Sequence, residues 1–301
     1  MNRFRIGDMT LHRIEEWQGG FAPPSAMFRG FDEAHWLPHE HELVPDYHQA
    51  ETGLIYGFLQ SWLIDTGAEK ILFDTGAGND KERPGIPIFG GLQTDFLARL
   101  SAAGFQPGDI DTVVCSHLHI DHVGWNTTRS DEGWKATFPN ARYILPLGDR
   151  ACWDPNDASA EPSATGKAVN AGVFEDSVQP LIDQNRVEWA ESGFEVLPGI
   201  DLFAVAGHTP GHLAMRVLAR GDSALFVGDV LHHPIQIHNP DWNSQFCEDQ
   251  DMARESRRAV LEEAAQMGSL LVPAHFGGVH AVRVLPEGSV FRPVYSPERL
   301  T

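Results

Sequence analysis

Apolar and polar residues alternate along Phe4–Glu15, the period of a half-buried strand. Leu54–Ile64 and Lys70–Phe73 are two further apolar runs joined by Asp65-Thr66-Gly67, which reads as a strand pair folded back at a turn. Between them Gly19–Gly53 fits neither period and is expected to be a long loop, with Phe21, Phe28, Trp36 and Tyr47 making it a candidate lid or contact surface. Thr94–Ala103 puts Phe96, Leu97 and Leu100 at helical spacing and stops at Gly104. Asp111–Cys115 and Tyr143–Leu145 are short strand-like runs, and Gly148–Leu181 mixes helical pieces with loop.

Strands resume in the second half. Arg186–Trp189, Phe194–Leu197, Ile200–Ala206, Leu213–Leu218 and Ala224–Val227 are short apolar runs separated by turns, and Arg254–Met267 is an amphipathic helix ahead of Leu270–Val272. Strands followed by a helix in each half predict an α+β protein: two β-sheets packed face to face and flanked by helices, an αββα four-layer sandwich. No Gly/Ser/Pro-rich linker divides the chain, so residues 1–301 are expected to form a single domain, with the 19–53 loop as its main excursion.

Composition narrows the partners. At 42% hydrophobic and 21% charged residues, the chain is that of a packed globular protein. Its formal net charge of -20 opposes binding to a nucleic-acid backbone or an anionic membrane surface, and bound divalent cations would offset part of it. Cys115, Cys152 and Cys247 form no C-x-x-C pair and read as small buried hydrophobes. Met1–Arg13 lacks the continuous apolar stretch of a signal peptide, and no window approaches the roughly 18 apolar residues of a membrane span. A cytoplasmic location is the expectation.

The chemistry gathers at strand ends. Ser116–Gly124 reads S-H-L-H-I-D-H-V-G, which puts His117, His119, Asp121 and His122 on a turn after an apolar strand. Alternate residues His117 and His119 can face one metal, and the turn lets Asp121 and His122 face a neighbouring one. Histidine-rich surface loops also occur, but the density of this cluster and its place after a buried strand weigh against that reading. His208 in G-H-T-P-G-H, Asp229 after Phe226-Val227-Gly228 and His275 after Leu271–Ala274 likewise end apolar runs. His212 opens the next strand and suits either support of a ligand or simple packing. His39 and His41 mimic a metal pair but are expected to belong to an exposed polar tract.

With these motifs in this order, the chain resembles the metallo-β-lactamase superfamily over nearly its whole length. Within that superfamily it is most similar to the N-acyl homoserine lactonase and methyl parathion hydrolase branch. The resemblance implies a site at one edge of the sandwich, with His117, His119 and His208 holding one metal, Asp121, His122 and His275 a second, and Asp229 bridging both. Two divalent ions, expected to be zinc with iron, manganese or cobalt as alternatives, would then hold a bridging hydroxide as nucleophile. Asp121 could steer that nucleophile's proton, and Asp74 in Phe73-Asp74-Thr75-Gly76, which matches an Asp the family carries at the end of an early strand, would orient a ligand imidazole or else simply form a turn.

The resemblance also sorts reaction classes. A redox-active diiron branch of the fold carries Glu at the second position of the signature, where this chain has His119, which favours hydrolysis over an iron-dependent redox protein. The homoserine lactonases place a substrate-contacting Tyr three residues after the bridging Asp. Here that position is His232, as in relatives of methyl parathion hydrolase, and it could donate to the substrate or leaving group or merely pack beside the metals. The expected activity is opening of a lactone or cleavage of a carboxylic ester, with organophosphate (phosphotriester) hydrolysis as the alternative. The expected partner is a small molecule with an apolar or aromatic portion. Phe21, Phe28, Trp36, Trp125, Trp153 and Phe276 are candidates for its pocket or for the core, and a homodimer is a reasonable prior.

Overall fold

The computed structural model describes residues 2–157, 159 and 162–295. One sheet runs in the spatial order Arg3–Ile6, Met9–Gly20, Leu54–Asp65, Lys70–Phe73, Thr112–Val114, Arg142–Pro146, Val187–Ala190, with His48–Gln49 added beside Leu54–Asp65. Its pairs are antiparallel as far as Lys70–Phe73 and parallel beyond. The second sheet runs Glu195–Leu197, Ile200–Ala204, Leu213–Ala219, Asp222–Gly228, Leu270–Pro273 and closes with a parallel pair.

The period-2 alternation of strand side chains decides the layers. Trp62, Ile64, Ile71 and Phe73 share a core with Met215, Val217, Phe226 and Val272, the filling between the two sheets. Leu63 and Leu72 point the other way and pack with Phe96 and Leu100 of the helix Phe96–Ala102. On the opposite flank Leu225, Val227 and Leu271 pack with Val260, Leu261 and Ala264 of the helix Gln250–Met267. The result is the αββα sandwich that the strand-and-helix pattern calls for.

Two elements differ from the sequence expectation. Phe4–Glu15 is not one strand: Gly7, at φ +56°, turns the chain so that Ile6 pairs with Met9. A two-residue turn leaves the alternation in phase, so the pattern could not show the break. Gly19–Gly53 is not one loop either. The preceding strand runs on to Gly20, which pairs with Tyr56, and much of the rest folds into the four-residue helices Pro24–Met27, Glu33–Trp36 and Glu40–Leu43. Each is shorter than the window in which helical periodicity is legible. Phe28, Trp36, Leu43 and Tyr47 bury in one cluster with Ile235 and Trp242, so this insert is an anchored wall and not a free lid.

Smaller differences sit at element ends. Ile200–Ala204 stops short of Ala206, and the last long helix starts at Gln250, where the Asp249 carboxylate accepts from the amides of Asp251 and Met252. The hairpins Thr127–Ser130/Gly133–Ala136 and Arg283–Glu287/Val290–Val294 were not legible in the pattern. Among the described residues no helix is long and apolar enough to cross a membrane.

Candidate metal centre

Four strands deliver side chains to one edge of the sandwich from their C-terminal ends. Thr112–Val114 leads into the 116–122 loop, Ile200–Ala204 into His208, Asp222–Gly228 into Asp229 and Leu270–Pro273 into His275. The register of the last pair shifts between Phe226 and Gly228, a bulge that re-aims Asp229. Gly228 has φ +49°, and a Cβ there would stand 2.6 Å from His212 Nε2 and 2.7 Å from Ser116 Oγ, so the position admits only glycine without displacement.

The Asp229 carboxylate stands at the centre of the cluster. Its Oδ2 faces His208 Nε2 at 3.2 Å, His232 Nε2 at 3.1 Å and His117 Nε2 at 4.0 Å. Its Oδ1 faces His275 Nε2 at 2.9 Å and His122 Nε2 at 3.3 Å. Asp121 closes the second side, 3.7 Å from His122 Nε2 and 3.6 Å from His275 Nε2. On the first side His119 Nδ1 lies 2.9 Å from His208 Nε2. The residues thus group as His117, His119 and His208 beside one carboxylate oxygen and Asp121, His122 and His275 beside the other, each group with ligand atoms within 4.8 Å of one another.

Outward contacts fix how the imidazoles point. His122 Nδ1 lies 2.9 Å from Asp74 Oδ2 and His275 Nδ1 lies 2.9 Å from the Phe58 carbonyl, so Nδ1 donates and Nε2 is free to accept. Asp74, held at φ +54°, also accepts from the Ser116 amide and hydroxyl, and that hydroxyl lies 3.0 Å from His117 Nδ1. Asp74 therefore fixes the His122 ring directly and the His117 ring through Ser116. His212 is buried with both ring nitrogens unpartnered, its ring 4.8 Å from His117, and serves as packing behind that residue.

Electrostatics show what the cluster lacks. Burial, reinforced by neighbouring imidazoles, holds His117 and His119 well below the usual histidine range. Burial also opposes charge on His122, His208 and His275, but Asp229 outweighs it, pushing His208 up to about 9 and the other two upward. The same pairing holds Asp229 well below the carboxylate range although burial raises it. Imidazolium protons thus supply positive charge that the buried carboxylate demands. The Nε2 atoms of His117, His119 and His122 and Asp229 Oδ1 are buried without a hydrogen-bond partner, although their neighbours stand close by. Lone pairs converging at short distance without hydrogen-bond geometry suit cations between them.

Two acids that no motif announced support the loops. Asp149 is fully buried and accepts from the amides of Leu118 at 2.9 Å and Gly211 at 2.7 Å, tying the 116–122 loop to the 207–212 loop. Glu16 is buried behind the centre and accepts from Ala77 and Gly78 amides and from Trp125 Nε1 at 2.7 Å. Nothing in the neighbouring sequence signals either role, because the amides that each acid accepts from are brought near only by the fold.

A cleft opens over the centre, floored by His119, Asp121, His208, Asp229, His232 and His275. Its walls are apolar: Trp17, Met27, Ile55, Phe58, Phe89 and Phe246 contribute. Of the six aromatic residues singled out for the pocket, Phe21 lines it and Trp153 reaches His119 at a ring distance of 5.4 Å. Phe28, Trp36, Trp125 and Phe276 lie in the cores. His39 departs from the exposed-tract expectation: it is half-buried and stacks on His238 at 3.7 Å, whereas His41 is exposed.

Residues 57–275 match the model of the metallo-beta-lactamase superfamily. An N-acyl homoserine lactonase from Bacillus sp is 27% identical over 118 residues, which cover 39% of this chain and 37% of that protein. The chain thus spans just over a third of that curated relative's length. Among solved structures, hydrolase AbOPH of the beta lactamase superfamily superposes with TM-score 0.80 at 24% identity, over 97% of this chain and 96% of that one. AidC, a dizinc quorum-quenching lactonase solved with the product N-hexnoyl-L-homoserine, superposes with TM-score 0.78 at 20% identity, over 99% of this chain and 97% of that one.

Proposed function

The chain belongs to the metallo-β-lactamase superfamily, and from that premise we propose that it is a dinuclear metal-dependent hydrolase that opens a lactone or cleaves a carboxylic ester bearing an apolar chain. The observation that carries this reading is Asp229, whose two carboxylate oxygens each face a separate group of ligand atoms on the floor of an apolar cleft. The orphaned nitrogens and the mixed imidazole and carboxylate donors fit divalent first-row ions, zinc foremost. His117, His119 and His208 would hold one, Asp121, His122 and His275 the other, with Asp229 shared. When bound, such ions would supply Lewis acidity toward a carbonyl oxygen and acidify water.

The chain's own residues do the rest. Trp17, Met27, Phe58 and Phe246 exclude water from one side of the cleft and take an acyl chain by burial of apolar surface. Asp121 has a carboxylate at the edge of the ligand cluster and can hold a proton there. His232 is buried with neither ring nitrogen hydrogen-bonded, so its N–H is free to donate to an oxygen of the substrate.

Initial-rate kinetics of zinc-loaded protein on an N-acyl homoserine lactone, an aryl acetate and a phosphotriester test the reading. The lactone or ester is expected to be turned over, with acyl chain length changing KM more than kcat. Asp229→Ala is expected to lower activity by at least about 100-fold, as loss of a group that organises both ions should. Turnover of the phosphotriester alone would assign the same site to phosphotriester hydrolysis, and no turnover of any of the three would overturn both.

A further inference from the structure

Away from the centre, the insert carries a second cluster built from residues distant in sequence. His39 ends the short turn Leu37–His39, Glu42 lies in Glu40–Leu43, and His238 closes the helix Ile235–His238. His39 Nδ1 lies 2.9 Å from Glu42 Oε1, and His238 Nε2 lies 2.7 Å from the same oxygen. The two rings stack at 3.7 Å with 21° between their planes, so both nitrogens approach one carboxylate from one side. Their ligand atoms lie within 4.8 Å of one another, as in the groups around Asp229.

A hydrogen-bonded chain alone leaves one member unsatisfied. His39 makes a proper hydrogen bond to Glu42, but His238 Nε2 has none despite its 2.7 Å approach, and His238 is only 8% exposed. A buried ring nitrogen without a partner is destabilising, because it gives up its hydrogen bond to water and gains none in return. From this geometry we propose that His39, Glu42 and His238 form a separate site for one divalent transition-metal ion of the zinc type, completed by water or another exchangeable ligand.

Ligand chemistry supports the assignment. Two imidazoles and a carboxylate are a zinc donor set, with metal–ligand bonds of about 2.0–2.2 Å that put ligand atoms roughly 3.3 Å apart in a tetrahedron. The observed 2.7 and 2.9 Å nitrogen–oxygen separations need to widen by only about half an ångström, and the stacked rings, 3.7 Å apart, need to swing apart for their lone pairs to converge on one ion. They resemble the 2.9 to 3.3 Å separations between Asp229 and its closest imidazoles at the central cluster. Burial and the adjacent His238 ring lower the pKa of His39, which keeps its lone pair available. Burial opposes ionisation of Glu42, but the adjacent His238 and His39 imidazoles outweigh it and hold the group as carboxylate.

The position gives such an ion a mechanical role. It would pin the insert, which carries the pocket residues Phe21 and Met27, to the end of the segment that runs from Asp229 through His232 to His238. The insert already leans on that segment through the Trp36–His233 stack at 5.3 Å and the contact of His233 Nε2 with the Tyr47 carbonyl at 3.2 Å.

Metal counting on the full chain tests the site. Zinc is buffered with a weak chelator, and bound metal is measured by inductively coupled plasma mass spectrometry on wild type, His238→Ala, His39→Ala and Asp229→Ala. His238→Ala and His39→Ala are each expected to lose about one equivalent relative to wild type and to keep the central ions, and Asp229→Ala to keep the outer one. His39 lies nearer the surface, so its variant reads the site even if His238→Ala fails to fold. Cobalt substitution adds a second readout, since the visible absorbance of a four-coordinate nitrogen and oxygen site is expected to fall in both histidine variants. Unchanged stoichiometry and unchanged cobalt spectra in folded His39→Ala would overturn the proposal while leaving the central centre untouched.

Discussion

At the scale of single residues, the centre depends on groups that never touch it. Glu16 is buried under three donors, from Ala77, Gly78 and Trp125, yet burial outweighs them and pushes its pKa up to about 7. An unfolded glutamate titrates near about 4.3, so the folded protein binds this proton more tightly. The stability linked to Glu16 is therefore present below about pH 4.3 and lost as pH rises through about 7, with an upper bound of about 3–4 kcal/mol. Glu16→Gln removes that titration and sets an amide NH₂ against at least one donor. We expect the variant to be less stable by about 1–3 kcal/mol at the acid end of the range, with the deficit shrinking as pH rises through about 7. Urea unfolding between pH 5 and 8 should show a flatter pH profile for the variant, and parallel profiles would mean that Glu16 is ionised throughout.

At the scale of elements, the site is held by what happens just before and after regular structure. Asp249 caps the helix Gln250–Met267 through its side chain, while its own amide donates to the Gly207 carbonyl and that of Glu248 donates to His208. One helix start thus fixes the loop that carries His208, a proposed ligand. Asp249→Ala should cost about 1 kcal/mol through loss of the cap. It should also loosen His208, read as weaker zinc binding by chelator competition; a loss of stability with unchanged zinc affinity would confine Asp249 to capping. His117, His208, Asp229 and His275 were legible in the sequence because each ends an apolar strand, and a strand end at one sheet edge is where side chains converge. Asp149 and Glu16 were not, since they act through backbone amides brought near only by the fold. The pocket wall was misread for a related reason: Trp17, Ile55 and Phe58 sit on the paired strands Met9–Gly20 and Leu54–Asp65, whereas Trp36 and Phe276, which looked loop-borne, are buried in the core that anchors the insert.

At the scale of the whole molecule, the protonation of the centre couples metal content to stability. His122, His208 and His275 have pKa values raised by Asp229 against the effect of burial, to about 9 for His208. Without metal, the stabilisation from these pairs is fully present below about pH 6.5, the unfolded histidine value, and is lost as pH rises through the folded values. The metal-free protein should therefore melt at lower temperature at about pH 8.5 than at about pH 6.5, as far as these groups decide. Metal must displace those protons to reach the nitrogens, so its binding strengthens over the same interval, and its stabilisation grows as the ratio of free metal to the dissociation constant rises. With a formal charge of -20 on the chain, bound cations also relieve repulsion between acids. The two trends oppose each other, so the difference in Tm between zinc-loaded and chelator-treated protein should widen from about pH 6.5 to about pH 8.5 at fixed free zinc. Differential scanning fluorimetry with buffered zinc measures it. A difference that stays constant or narrows would show that the imidazoles already stand deprotonated in the metal-free fold, and that the positive charge balancing Asp229 comes from elsewhere.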